Sequence, residues 1–233
     1  MRIKICFTKN TEAVPNNQSV VNSYMHTKCL GNNNEYHDKP SDYCISRLLG
    51  GEIVDGGKQM NFPNGGYILV TSMNFGFIDK VINGVINNPT LGYGMEFICV
   101  DHITELFYSG WNYFKTTTMG FIIRRKEPVG NQHYYTINDA DINEVIKNHI
   151  VNKFSKINPE LDFSNLVVAV TDHPSNRVKS VYSKNVKNMT NICQVNINTN
   201  KLLAEYIYNY GIGQSCGSGF GTVYTTQYKD FYK

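Results

Sequence analysis

The helices and strands predicted along this chain come in an order that limits the folds it can adopt. In the first half, apolar residues recur at the period of a strand or of a helix. They predict strands at 2–7, 43–46, 67–72 and 95–103, and helices at 18–30 and 75–86. The resulting order, strand–helix–strand–strand–helix–strand, is that of a ferredoxin-like domain.

The second half repeats this order with little residue identity to the first. Strands are predicted at 119–123, 166–171, 190–197 and 220–226, and helices at 138–154 and 201–210. With 233 residues the chain is long enough for two domains of about a hundred residues each. We therefore predict an α+β fold of two tandem ferredoxin-like domains, 1–112 and 113–233. Their boundary falls in the aromatic, threonine-rich stretch 107–118, which shows no clear period.

A glycine-rich stretch lies between the last predicted helix and the last predicted strand. Residues 211–221 read GIGQSCGSGFG, and the glycines are Gly211, Gly213, Gly217, Gly219 and Gly221. Glycine adopts positive φ freely and allows another backbone or a ligand to come close. The simpler interpretation is a helix C-cap at Gly211 followed by a flexible turn. The doubled glycine–hydrophobic–glycine unit favours a dedicated loop that offers backbone N–H groups to an anion.

Composition sets broad limits on function. The net charge of +3 is too small by itself to indicate nucleic acid, so local clusters of basic residues have to carry that argument. The cysteines at 6, 29, 44, 99, 193 and 216 lack CxxC spacing, and we expect reduced, buried side chains of a cytosolic protein. No signal peptide and no membrane span are expected.

Two clusters of basic residues are candidates for binding RNA. Arg177, Lys179, Lys184 and Lys187 lie in a segment without acidic residues that joins two predicted strands, with Tyr182 among them. This pattern is expected of a hairpin that grips phosphates and stacks a base. Arg124 and Arg125 begin a second cluster, at a strand end. Solvated surface charge is the alternative for both clusters.

The glycine motif resembles the C-terminal motif of the CRISPR-associated endoribonucleases that cut precursor CRISPR RNA within its repeats, members of the RAMP superfamily. The resemblance extends over essentially the whole chain, through 14–28, the pair His37-Asp38 ahead of 42–46, and 67–91. It implies two ferredoxin-like domains, a cytoplasmic prokaryotic protein, and metal-independent cleavage without a cofactor. In that reaction the 2′-hydroxyl attacks, leaving 2′,3′-cyclic phosphate and 5′-hydroxyl ends.

The resemblance also implies which residues perform the chemistry. His37 occupies the position of the family's catalytic histidine, and an imidazole suits a general base or acid near neutral pH. His26 stands where many members carry a tyrosine and is the candidate counterpart, while Lys39 is the candidate for stabilising charge on the phosphate. The alternatives are an exposed loop histidine, a packed helix histidine and a solvated lysine. Tyr36 is a candidate for stacking on a base, and Tyr24 is expected to pack in the core instead.

The implied partner is CRISPR repeat RNA, with other Cas proteins or a second copy of the chain as further possibilities, and no DNA. A non-catalytic RAMP-type subunit that binds repeat RNA in an effector complex is the alternative, and a small-ligand-binding protein is the third interpretation. The remaining histidines, His102, His133, His149 and His173, show no spacing typical of metal ligands, so no metal site is predicted.

Overall fold

A computed structural model describes residues 1–16, 18–31, 35–36, 41–128, 132–183 and 186–226 of the chain. The first half forms helices and strands in the predicted order, with short additional strands. They are β1 (Arg2–Phe7), β2 (Val14–Pro15), α1 (Ser19–Asn22, continued by a π-helix at Ser23–Cys29), β3 (Tyr43–Ile45), β4 (Glu52–Val54), β5 (Gln59–Asn61), β6 (Gly66–Ser72), α2 (Phe75–Asn87), β7 (Thr90–Gly92) and β8 (Met95–Ile103).

The second half begins with a strand that the sequence analysis did not identify. Its elements are β9 (Gly110–Thr116), β10 (Ile123–Lys126), β11 (Gln132–Tyr135), α3 (Ile142–Ile157), β12 (Val167–Val170), β13 (Arg177–Ser183), β14 (Val186–Ile192), β15 (Gln194–Thr199), α4 (Lys201–Tyr210) and β16 (Val223–Thr225).

Each half contains an antiparallel sheet with the strand order of a ferredoxin-like fold. The first sheet runs β3-β6-β1-β8, with β7 added at the edge of β8, and the second runs β12-β15-β9-β16. In both sheets the first and third strands of the strand–helix–strand–strand–helix–strand unit lie at the centre. The predicted pair of ferredoxin-like domains is confirmed. The domain bounds stay a prediction; β9, which spans the 112/113 boundary, pairs in the second sheet.

Each sheet is covered by its own helices, and each half has its own hydrophobic core. In the first core, Ile3 and Ile5 of β1 are fully buried together with Val81 of α2. In the second, Phe114 of β9 and Phe154 of α3 are fully buried. Burial of such apolar side chains is the main favourable term that holds each layer of helices on its sheet.

The prediction that 119–123 is the first strand of the second domain is wrong. These residues are buried, but Phe121 and Ile122 make only isolated bridges, and the strand that starts at Ile123 pairs with β11 in a separate hairpin. The first strand of the sheet is β9. Its outer face carries the exposed aromatic rings of Trp111 and Tyr113, so the apolar alternation that marks a half-buried strand is missing.

The stretch 190–197, predicted as one strand, is divided between two. β14 ends at Ile192 and pairs with β13, whereas β15 starts at Gln194 and pairs with β12 and β9. The chain changes sheets at Cys193, whose N–H donates to Oγ1 of Thr116 at 3.1 Å. Because both strands are partly apolar, the sequence pattern does not show the change.

A buried arginine joins the two domains. Arg2 is fully buried, and its Nη2 donates to the carbonyl oxygens of Val223 at 2.6 Å and Tyr208 at 3.1 Å. Its guanidinium lies 3.6 Å from the centre of the Tyr208 ring. The start of β1 is therefore fixed to β16 and α4. Among the described residues, no helix is long and apolar enough to cross a membrane.

Candidate active site and nucleic-acid interface

The glycine-rich loop follows α4 and folds back on itself. The N–H of Ile212 donates to the carbonyl oxygen of Gly221 at 2.9 Å, and Gly211 caps α4 with φ +72°. Gly213 has φ +84°, and a Cβ there would lie 2.6 Å from the carbonyl oxygen of Ile122. At these positions a side chain would strike backbone, so the loop requires glycine for its own compact shape.

Two glycines of the loop face the first domain. A Cβ on Gly217 would lie 2.7 Å from Cε2 of Tyr43 and 2.9 Å from Oγ of Ser41. A Cβ on Gly219 would collide with the side chain of Gln18, at the start of the first helix. The loop therefore lies in contact with the first domain, and glycine permits that close approach.

His26 lies on the π-helical part of the first helix and contacts this loop. Its Nε2 donates to the carbonyl oxygen of Gly217 at 2.9 Å, and its ring centre is 6.2 Å from that of Tyr43. The ring is half-buried, and its neighbour Tyr24 is buried against Phe7 as expected. Because Nε2–H is engaged in this hydrogen bond, Nδ1 is the ring nitrogen of His26 that is left to contact a ligand.

A cleft of about 1030 Å³ opens between the two domains beside the loop. Its walls are Glu35, Tyr36, Ser41 and Asp42 from the first domain, Gly213, Gln214, Ser215, Cys216 and Ser218 from the loop, and His149, Asn152, Lys153, Lys156 and Ile157 from α3. Tyr36 and Ser41 are the residues on either side of 37–40. His37 and Lys39 lie in that segment, outside the residues that the structure describes.

Lys153 ties α3 to the glycine-rich loop. Its Nζ donates to the carbonyl oxygens of Tyr210 at 2.6 Å and Gly211 at 3.0 Å, and to Sγ of Cys216 at 3.2 Å. A hydrogen bond from Cys44, with help from the Lys153 ammonium, lowers the pKa of Cys216 to about 6 against the opposing effect of burial. The charge of Lys153 is therefore directed at the loop and fixes its position.

His149 lies on the wall of the same cleft, one turn before Lys153 on α3. Burial, followed by the positive charges of Lys153 and Lys156, lowers the pKa of His149 to about 4, against the opposing effect of a backbone hydrogen bond to Gly213. Its Nε2 is buried and has no hydrogen-bond partner among the described residues. At neutral pH His149 is therefore uncharged.

The basic segment forms a β-hairpin, as predicted. β13 pairs with β14 in register, with Tyr182 opposite Lys187, and both side chains are exposed. Arg177 and Lys179 lie two residues apart and so on one face of β13. Lys184 lies outside the described residues.

Arg47, which the sequence analysis did not single out, lies close to this hairpin. The residue is 8% exposed, and its Nη1 is 4.0 Å from Sδ of Met119. Burial, followed by the positive charges of Arg47 and Arg177, lowers the pKa of Lys179. None of these three cations has a carboxylate within 4.0 Å in the part of the chain that the structure describes. A cluster of like charges such as this one is complementary to an anion.

The second basic cluster lies against the first. Nη1 of Arg124 donates to Oδ1 of Asn188 on β14 at 3.5 Å, and the Tyr134 hydroxyl donates to the carbonyl oxygen of Lys187 at 3.1 Å. Arg125 instead makes an exposed ion pair with Glu127 at 2.9 Å. Arg124, Arg177, Lys179 and Lys187 together are called the basic surface below, and the buried Arg47 lies next to it.

The glycine-rich loop connects the cleft with the basic surface. Nε2 of Gln214, which lines the cleft, donates to the carbonyl oxygen of Arg124 at 3.1 Å, and the same residue bridges to Ile122. The loop therefore contacts predicted residues on both of its sides. It is hydrogen-bonded to His26 on one side and to Arg124 of the basic clusters on the other. Lys153 was missed, and His149 was assigned no functional role, because a single basic residue on a helix carries no distinguishing pattern.

Comparison with known proteins identifies the family. Residues 109–225, half of the chain, match the family model described as CRISPR associated protein Cas6, C-terminal. No curated protein matches the sequence.

Solved structures agree with the fold. A Cas6-related protein from Pyrococcus furiosus aligns over 97% of this chain and 98% of its own, at 15% identity and a TM-score of 0.82. A CRISPR-associated protein Cas6 aligns over 97% and 99%, at 19% identity and 0.77. A RAMP protein described as binding different RNA substrates aligns over 97% and 99%, at 16% identity and 0.76. On the family match, this chain belongs to the Cas6 family of CRISPR-associated proteins.

Proposed function

We propose that this chain is an endoribonuclease that cuts precursor CRISPR RNA within its repeats. The observation that carries the proposal is the cleft between the domains. One wall holds Tyr36 and Ser41, the residues that flank the His37 segment, and the glycine-rich loop of the opposite wall continues to the basic surface. A strand of RNA bound to the basic surface would thus pass beside the segment that carries the candidate catalytic group.

The proposed reaction is attack of the 2′-hydroxyl on the adjacent phosphate, which breaks the bond to the 5′ oxygen. His37 acts as general base or general acid, and His26 is its counterpart. In the structure the Nε2–H of His26 donates a hydrogen bond to the Gly217 carbonyl, so the catalytic role is assigned to Nδ1. Lys39 supplies positive charge to the phosphate. The proposed reaction uses no metal: the substrate supplies the attacking hydroxyl, and His37, His26 and Lys39 supply the base, the acid and the positive charge.

The basic surface holds the repeat RNA by its phosphates. Arg177, Lys179, Lys184 and Lys187 grip the backbone, with Arg124 and Arg125 beside them, and Tyr182 stacks on a base. The exposed Tyr182 ring and the absence of carboxylate partners around Arg47 and Lys179, among the described residues, support this assignment. The ion pair of Arg125 with Glu127 does not exclude it from the interface, since exposed pairs of this kind are weak.

The glycine-rich loop has a structural role in this proposal. It lets the two domains meet and fixes His26, and its contacts with Tyr43 and Gln18 support that role. Its remaining N–H groups are donors to RNA. We propose 1–112 and 113–233 as the domain bounds, a cytoplasmic location, and repeat RNA as the partner, with other Cas proteins or a second copy as further partners.

A second candidate is a RAMP-type subunit that binds repeat RNA and leaves it whole. One of the similar structures, with a TM-score of 0.76, is described as a RAMP protein that binds different RNA substrates. The test that separates the two is incubation of the purified protein with its repeat RNA in EDTA. Site-specific cutting that leaves a 2′,3′-cyclic phosphate supports the nuclease, and tight binding with intact RNA supports the subunit.

A further inference from the structure

Two cysteines and an aspartate meet on the outer face of the first sheet, outside the cleft. Cys6 of β1 and Cys99 of β8 are direct partners in the antiparallel ladder. Asp101 follows Cys99 by two residues, so its side chain lies on the same face of the strand. Both cysteines are half-buried and Asp101 is exposed, so the expectation that all the cysteines are buried is wrong for this pair.

The three side chains have the separation of metal ligands. One ligand atom of each lies within 4.8 Å of the other two. Sγ of Cys6 is 3.7 Å from Oδ2 of Asp101, and Sγ of Cys99 is 3.9 Å from Oδ1. In a tetrahedral zinc site, with bonds of about 2.3 Å to sulfur and about 2.0 Å to oxygen, these atoms are about 3.5 Å apart. Each sulfur therefore lies a few tenths of an ångström beyond the zinc-site distance from one of the two Asp101 oxygens, and a small side-chain rotation is needed to bring both sulfurs and one oxygen around a single ion.

We propose that Cys6, Cys99 and Asp101 bind a divalent zinc ion, with the fourth position taken by water. Thiolate sulfur favours zinc over the harder magnesium and calcium ions. On binding, the ion forms two bonds to sulfur and one to a carboxylate oxygen, and the two thiol S–H bonds break with release of two protons to solvent.

Lys4 is the group that competes with the metal. Its Nζ lies 3.9 Å from Oδ2 of Asp101 and 4.9 Å from the centre of the Tyr67 ring. Lys4 is directly opposite Asp101 in the ladder between β1 and β8. An exposed ion pair of this kind is weak. A zinc ion bound by two thiolates displaces the ammonium from the carboxylate, and removal of Lys4 increases the affinity.

The sheet explains why the site was hidden in the sequence. Cys6 and Cys99 lie on the first and fourth core strands of the domain and become neighbours only because β8 pairs with β1. Cys6 has no second ligand nearby in the sequence, and the pair Cys99 and Asp101 does not have the C-x2–4-C or H-x3–5-H spacing that marks zinc sites in sequences. The site does not depend on the proposed nuclease activity, so either proposal can fail without the other.

The test is titration of the full-length, fully reduced chain with Co²⁺, which takes the place of Zn²⁺ and reports thiolate ligation by absorption. We expect one Co²⁺ per chain, a sulfur-to-cobalt charge-transfer band, and its loss when Zn²⁺ is added. Cys6→Ser and Cys99→Ser are each expected to weaken binding at least about tenfold. Cys193→Ala is the matched control, because this thiol is buried in the other domain. Lys4→Met is expected to tighten binding.

Two results would overturn the proposal. One is a reduced chain that gives no charge-transfer band with Co²⁺. The other is a band that persists unchanged in both Cys6→Ser and Cys99→Ser, which would place the metal elsewhere. Circular dichroism of each variant establishes that the loss of a ligand, and not unfolding, is responsible for the change.

Discussion

Replacement of Gly217 by alanine tests the role of the glycine-rich loop most sharply. The added Cβ would lie 2.7 Å from Cε2 of Tyr43, whereas ordinary contact begins at 3.4 Å. The Tyr43 ring is 4% exposed and stacks on Phe77 with ring centres 4.4 Å apart, so it cannot rotate away. The loop has to move instead, and the hydrogen bond from His26 to the Gly217 carbonyl is lost.

The expected cost follows from this geometry. Forcing one extra methyl group into packed surroundings typically costs about 1–3 kcal/mol, and we expect the free energy of unfolding of Gly217→Ala to fall by that amount. Chemical denaturation followed by fluorescence measures the change. Single-turnover cleavage of repeat RNA by folded protein should also slow, because His26 is no longer fixed.

Gly76→Ala is the matched control. Gly76 lies in the first turn of α2, and the nearest atom to an added Cβ is Oδ1 of Asn74 at 3.4 Å. Alanine there should be neutral or stabilising by up to about 1 kcal/mol, because it is the better helix former. If Gly217→Ala is as stable and as active as Gly76→Ala, the loop is not packed between the domains as described and the reasoning fails.

Three further predictions concern the site. His26→Ala should slow single-turnover cleavage at saturating protein with little change in repeat affinity, and an unchanged rate would remove His26 from the chemistry. Lys179→Met should weaken binding and reduce the slope of log affinity against log salt by about 0.7–0.9, the effect of one phosphate contact; an unchanged slope in equilibrium binding would exclude Lys179 from the interface. His149 carries a folded pKa of about 4 against an ordinary 6.5, so the unfolded chain binds more protons between these values and stability falls as pH decreases through that range. His149→Gln should lose stability less steeply between pH 6.5 and 4 in denaturation at fixed pH, and parallel curves would contradict the assignment.

The sequence was sufficient to predict the fold of both domains. The core strands and helices of the first domain were found from their apolar residues alone, because β1 and α2 each bury one apolar face and the short strands β3 and β6 are buried almost throughout. The prediction failed at β9, whose exposed face is as apolar in composition as its buried one, with Trp111 and Tyr113 outside. It also failed at Cys193, where the chain passes from one sheet to another between two partly apolar strands.

The candidate site could be predicted only in part. The basic hairpin and the glycine-rich loop are continuous in sequence, so composition revealed them. Arg47 and Lys153 are single residues whose surroundings come from distant segments, and the pairing of Cys6 with Cys99 depends on the sheet register. Contacts of this kind follow from the tertiary fold and leave no local pattern.

The most direct test of the account is the rate of repeat cleavage by His37→Ala in EDTA, measured under single-turnover conditions beside its affinity for the same RNA. The account predicts a cleavage rate at least about a hundredfold lower, the usual contribution of a general acid or base, with affinity nearly unchanged. Cleavage at the unaltered rate, or loss of affinity with unchanged cleavage, would contradict it.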